Sequence, residues 1–185
     1  MFPLTFEEFL LAGEIPILQD AFAGIAELAP LSPALHQRLW DEFKLYLVTG
    51  GLPEVVAAFF MKREDLYAAF QDVRSIQTRL ISDYIADMAK HCGKQNAMHL
   101  ERLWRSVPAQ IGRDQSGAAQ KFVFKDVLPG IKGYERMAGV IDWLEASGLV
   151  IRLPIANCGQ LPFSAYTKEN AFKLFVFDVG ILGAL

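Results

Sequence analysis

The stretch Lys121–Leu153, KFVFKDVLPGIKGYERMAGVIDWLEASGLVIRL, constrains the fold more than any other part of this 185-residue chain, because its apolar period changes twice within it. Lys121-Phe122-Val123-Phe124 is a short strand candidate and Pro129-Gly130 a turn. Ile131, Tyr134, Met137, Val140, Ile141 and Leu144 then recur at three- and four-residue steps. That spacing predicts a helix with one apolar face, from which Lys132, Arg136 and Asp142 point away. Gly148 supplies the left-handed residue that ends such a helix, and Leu149-Val150-Ile151 follow as a β-branched run. Phe172 to Phe177 alternates apolar residues and pairs in this reading with Leu149 to Leu153, while Pro154 to Asn170 reads as an irregular connection. Strand, turn, helix and a two-stranded wing, in that order, make a winged helix.

Upstream the signals are helical. Thr5-Phe6-Glu7-Glu8 is a capping box, so a short helix starts at Phe6 and ends by Gly13. A second helix spans about Ile17 to Glu27. Ser32-Pro33 combines an N-cap with a first-position proline and opens a helix that carries Leu35, Leu39, Trp40, Phe43 and Leu47 on one stripe. Gly50-Gly51 stop it, and Pro53 opens the next, which Lys62-Arg63 close. The longest periodic segment runs from Glu64 to about Lys90. A further helix covers Ala97 to Ile111, with Pro108 loosening its last turn. Gly112 to Gln120 reads as a polar loop.

Composition narrows the function classes. Apolar residues make up 52% of the chain and the mean hydropathy is +0.23, a surplus that implies faces meant for a partner or for self-association. Membrane insertion is not expected, because Leu45 to Met61 is interrupted by Gly50, Gly51, Pro53 and Glu54 and is shorter than the roughly 20 apolar residues a span needs. Glu7 and Glu8 stand where a signal peptide would be apolar. Two cysteines, Cys92 and Cys158, make no disulfide framework, which implies a cytoplasmic setting. Residues 1–93 carry 7 Lys/Arg and 13 Asp/Glu, net −6, while residues 94–185 carry 11 and 8, net +3. A module boundary is therefore expected at Cys92-Gly93, with the positive half permitting DNA contact.

Six ordered segments carry a family resemblance. They are Phe2-Pro3-Leu4-Thr5-Phe6-Glu7-Glu8-Phe9-Leu10, Gly50-Gly51-Leu52-Pro53-Glu54, Arg105-Ser106-Val107-Pro108-Ala109-Gln110 and Trp143 to Val150. Leu161-Pro162-Phe163-Ser164-Ala165-Tyr166 follows, and then Phe172-Lys173-Leu174-Phe175 with Asp178-Val179-Gly180. In this order they resemble the part of bacterial and archaeal AAA-type P-loop ATPases that follows the nucleotide-binding core. The resemblance implies a mainly α architecture: a helical lid-like bundle over residues 1–93, then a winged-helix domain with a small β wing over residues 94–185. It also implies a parent protein that binds ATP and Mg through a core upstream and continues into a nuclease-like domain downstream. This chain contains no G-x-x-x-x-G-K-[ST] string, so it reads as the middle of a larger protein, with the apolar run after Asp178 as a cut edge.

Candidate site residues follow from both readings. Glu54, in the first turn of its helix, is a candidate nucleotide contact when the ATPase core is attached; the plainer reading is a capped helix corner. Lys121, Lys125, Lys132 and Arg136 surround the expected recognition helix and are candidate nucleic-acid contacts, opposed by Glu135 and Asp142 on the same side. His91, Cys92 and His99 lack a fourth ligand and a zinc spacing, so no metal site is expected. No catalytic residue stands out. The leading expectation is a non-catalytic regulatory segment of an AAA-type ATP-binding protein; the alternative is a winged-helix nucleic-acid-binding module.

Overall fold

The computed structural model describes residues 2–26, 30–113 and 121–185. The chain is mainly helical, with one two-stranded antiparallel sheet near the C-terminus. Helices α1 (Phe6–Ala12), α2 (Pro16–Ala26), α3 (Pro33–Thr49) and α4 (Pro53–Met61) are followed by α5 (Leu66–Arg113) and α6 (Ala138–Ala146). Strand β1 (Val150–Ala156), a 3-10 turn (Phe163–Tyr166), β2 (Thr167–Val176) and α7 (Val179–Ala184) complete the order. None of the described helices is long and apolar enough to cross a membrane.

Two compact units form. One comprises Met1–Ile81 with Asp178–Ala184, the other Ser82–Phe177 with Leu185. The charge break expected at Cys92-Gly93 coincides with a backbone break inside α5, where Gly93 takes φ 76° and ψ 158°. The compact units divide at Ile81/Ser82 instead, and the segment after Phe177 packs in the first unit rather than the second.

In the first unit the capping signals act as the sequence expects. Thr5 accepts from the Glu8 amide and Glu8 reaches back to the Thr5 amide, starting α1. Ser32 accepts from the Leu35 amide with Pro33 at the first position of α3. Asp65, unremarked in the sequence, accepts from the Ala68 amide and caps α5. One core gathers Phe9, Val55, Val56, Phe59, Ala69 and Val73, and a second Leu10, Leu18, Ala21 and Leu39. The α3 stripe is split: Leu39 is buried, whereas Trp40 and Leu47 are 49% and 41% exposed and Glu42 turns inward to pair with Arg63. The expected end of α2 at Glu27 lies outside the described residues.

In the second unit the expected strand pair forms, with Val150 opposite Val176, Ile151 opposite Phe175 and Leu153 opposite Lys173. It is longer than expected, because much of the stretch read as irregular, Pro154 to Asn170, belongs to β1 and β2. Pro154 is tolerated there because it faces Phe172, whose carbonyl accepts from Phe122 N at 2.7 Å and so points away from β1. Lys121 to Phe124 is not a strand; that bond and the side chain of Gln110 hold it. Gln110 accepts from Val123 N (2.8 Å) and donates to Val123 O (3.1 Å). The helix expected from Ile131 begins only at Ala138. Gly130 and Gly133 take φ of 74° and 84°, which turns the chain before it. Tyr134 packs on the rings of Phe124 and Phe172 instead of continuing a helical face. At the other end Gly148 takes φ 75°, with Leu149 N donating to Leu144 O and Gly148 N to Glu145 O, a Schellman cap. Gly112 lies in α5, and residues 114–120 of the expected loop lie outside the described residues.

Candidate functional site

Three segments far apart in sequence meet in the first unit around one carboxylate. The corner between α3 and α4 is built by Gly50, whose φ of 78° ends α3, and by Gly51. Gly51 N donates to Asp178 Oδ2 at 2.7 Å, across 127 residues. Gly51 O accepts from Leu4 N at 2.6 Å, and the Tyr46 hydroxyl donates to Leu4 O at 2.9 Å. Asp178 also caps α7, its Oδ1 accepting from Ile181 N at 2.8 Å. Beneath it Gln77 is fully buried and donates to the carbonyls of Val48 and Thr49, both at 3.0 Å. Gly180 lies so close that a Cβ would stand 2.4 Å from Thr49 O.

Burial pushes the Asp178 carboxyl above the usual aspartate range, and the amides of Gly51, Ile181 and Gly180 offset only part of that. Burial, with Asp178 and Glu8 nearby, likewise raises the Tyr46 hydroxyl, so it stays a donor to Leu4 O. The carboxylate has its oxygens engaged by the backbone amides of Gly51 and Ile181. Its chemistry is that of a lock joining the α3–α4 corner, the N-terminal segment and α7.

The other candidate residues lie elsewhere. Glu54 is exposed in the first turn of α4, and its carboxylate pairs with Arg79. The four cations named from the sequence separate into two clusters in the second unit. Lys121 and Lys125 join Lys173 around a hollow of about 470 Å³ that Asp126 also lines. Lys132 and Arg136 join Lys168 around a shallower one of about 630 Å³, with Glu135 and Glu169. Between Ala138 and Ala146 there is no Lys or Arg at all. The exposed carboxylates of α6, Asp142 and Glu145, are taken by Arg152 of β1, at 2.6 Å for Asp142 and 2.7 Å from Nε to Glu145. Among the described residues no group of three or more His, Cys, Asp or Glu side chains gathers as metal ligands would.

The Arg152 arrangement ties β1 to α6, and its guanidinium also lies 5.4 Å from the centre of the Phe172 ring. Arg152→Ala is expected to lower stability by about 1–2 kcal/mol, since a double ion pair and a ring contact go together. Urea unfolding followed by circular dichroism measures it, and Arg152→Lys should fall between the two because lysine lacks the planar fork.

Residues 40–185 match the family model described as Domain of unknown function (DUF8612). The chain belongs to the DUF8612 family. The matched span of this DUF8612 chain holds the Gly50-Gly51 corner, Asp178 and Gly180, and it leaves out Leu4. No curated protein and no solved structure matches the chain.

Proposed function

We propose that this DUF8612 chain is a non-catalytic coupling segment of an AAA-type ATP-binding protein in the cytoplasm. In this reading the first unit is a lid-like bundle that follows a nucleotide-binding core, and the second is a winged-helix module that passes the state of that core to a partner. One observation carries the reading. Three of the segments on which the resemblance rests, at Leu4, Gly51 and Asp178-Val179-Gly180, meet in a single buried contact. Residue types that recur together in a resembling family are expected where one contact needs all of them.

In this reading the chain's own residues supply no nucleotide site. It has no P-loop, and the one acidic candidate, Glu54, is already paired with Arg79. ATP and Mg belong to the parent's core in this proposal, and no chemical step is assigned to this chain. Two measurements test it. The genomic reading frame upstream of Met1 should encode a P-loop, and titration calorimetry of this chain with ATP and Mg should show no binding. A start codon with no P-loop before it, or tight ATP binding by this chain alone, overturns the proposal.

The second reading is a winged-helix module that binds nucleic acid, favoured by the two lysine and arginine clusters. Against it stands α6, the helix that would enter a groove, with its carboxylates outward and no cation of its own. Contact would therefore be with phosphates and not with bases, and would weaken steeply with salt.

A further inference from the structure

We infer that Gly93 is a hinge at which two copies of this chain exchange residues 94–185, forming a dimer in which α5 runs straight. The inference rests on the geometry of α5 and does not depend on an ATPase core.

The first observation is a reversal. Tyr84 and Trp104 both lie in α5, yet their rings meet edge to face with centroids 6.0 Å apart. Twenty residues of unbroken helix would hold them about 30 Å apart. Gly93 is the residue between them with non-helical backbone angles, at φ 76° and ψ 158°. The helix is therefore two arms, 66–92 and 94–113, folded back on each other at a single residue. Tyr84 and Met88 on one arm, and Ala97, Leu100, Trp104 and Val107 on the other, recur at three- and four-residue steps. All but the half-buried Tyr84 are buried. Tyr84 also meets the ring of Phe177 at 6.0 Å.

The second observation is how little holds the turn. Antiparallel helices are ordinarily joined by about 2–5 residues, and here one glycine makes the connection. Its angles lie in a region open essentially to glycine alone. Lys90, His91 and residues 93–96 are exposed, and a Cβ on Gly93 would meet nothing within 4 Å. No neighbour forces the break. Cys92 O accepts from the side chain of Asn96 at 3.1 Å, the residue whose backbone amide is its partner in an unbroken helix. Turning Gly93 alone into the helical region would join the arms. A short, strained connection favours exchange, because straightening relieves it while an identical partner remakes every contact that is lost. Once α5 is straight, Tyr84 is out of reach of Trp104 and Phe177 of its own chain. A second copy carries the same two rings in the same arrangement. Helix α7 travels with the exchanged part, so Asp178 of each copy would bond Gly51 of the other.

The test is refolding from urea at rising protein concentration, read by size-exclusion chromatography with light scattering. The wild type should give a dimer at about 0.5 mM that persists on dilution, since exchange reverses only through unfolding. Gly93→Ala should raise the dimer-to-monomer ratio about a hundredfold, roughly tenfold for each of two hinges, because alanine favours the helix and resists the folded-back angles. Inserting Gly-Ser-Gly after Gly93 relaxes the turn and should restore the monomer. Spin labels at Ser82→Cys and Arg105→Cys, in a chain carrying Cys92→Ser and Cys158→Ser and diluted with unlabelled chain before refolding, separate exchange from surface pairing. Their distance within one chain should be about 35 Å in the exchanged dimer and about 15 Å in the monomer. A dimer that keeps the short distance overturns the inference. So does a wild type that refolds only as monomer at that concentration, or a folded Gly93→Ala protein that stays monomeric.

Discussion

Gly51→Ala is expected to lower the stability of the first unit by about 3 kcal/mol or more, the largest loss from any single methyl group at this corner without a backbone in the left-handed region. The added Cβ would stand 2.1 Å from Leu4 O and 2.7 Å from Leu4 N. Both neighbours are main chain, so no side-chain rotation relieves the clash. Moving Leu4 away breaks its bond to Gly51 O and the one it receives from Tyr46. Urea unfolding followed by circular dichroism gives the loss directly. Gly183→Ala is the control: its Cβ meets nothing within 4 Å, so the change should stay within about 1 kcal/mol and favour alanine, the better helix former. Equal effects from the two substitutions would show that the close approach of Leu4 does not hold the corner.

Asp178→Ala should cost about 3 kcal/mol, because the buried amides of Gly51 and Ile181 lose their acceptor together. Asp178→Asn keeps the shape but sets an NH₂ against amide donors, and should fall between alanine and the wild type. The pH dependence has a definite sign. The folded-state pKa of Asp178 is raised, chiefly by burial. The unfolded chain therefore releases this proton first as pH rises. The contribution of the carboxyl to stability is fully present below the ordinary aspartate pKa and is lost as pH rises through the raised folded value. The stability difference between wild type and Asp178→Asn, followed from about pH 3 to pH 7, should shift against the wild type as pH rises. A difference that moves the other way would mean that the three amides outweigh burial and hold the carboxylate charged.

How much of this was legible beforehand differs by element. The capping box at Thr5 and Glu8, the Ser32-Pro33 start, the Gly50-Gly51 stop and the left-handed Gly148 are all local. Each rests on residues within a few positions, so spacing alone carries the signal. The strand pair was readable from two alternating runs, although its length was not, because a proline in β1 is harmless only when its partner's backbone points away. The helix read from Ile131 failed for the converse reason. Ile131, Tyr134 and Met137 keep helical spacing, yet Gly133 turns the chain and Tyr134 finds an aromatic niche formed by Phe124 and Phe172. Periodicity records which residues are apolar and not which neighbour they meet.

The candidate site was legible only in pieces. Gly50-Gly51 and Asp178-Val179-Gly180 were both visible as segments of a resemblance, but nothing in either points to the other across 127 residues. Lys121, Lys125, Lys132 and Arg136 were read as flanking one helix, and the structure parts them into two hollows, each completed by a lysine of β2. Arg152, which takes up both carboxylates of α6, carried no signal at all, since its partners are set by how α6 and β1 pack.

The line between the two sources of information follows from range. By itself the sequence determined the starts of α1 and α3, the stop at Gly50-Gly51 and the glycine end of α6, that the second half holds a small antiparallel pair, and that no P-loop is present, because caps, periods and motifs are written in neighbouring residues. Only the tertiary structure decided that the residues after Phe177 return to the first unit, that Asp178 is buried against Gly51, and which lysines stand together. Those facts depend on which distant backbone groups are left without partners once the local elements have formed, and a buried amide or carboxylate takes the partner that folding brings to it.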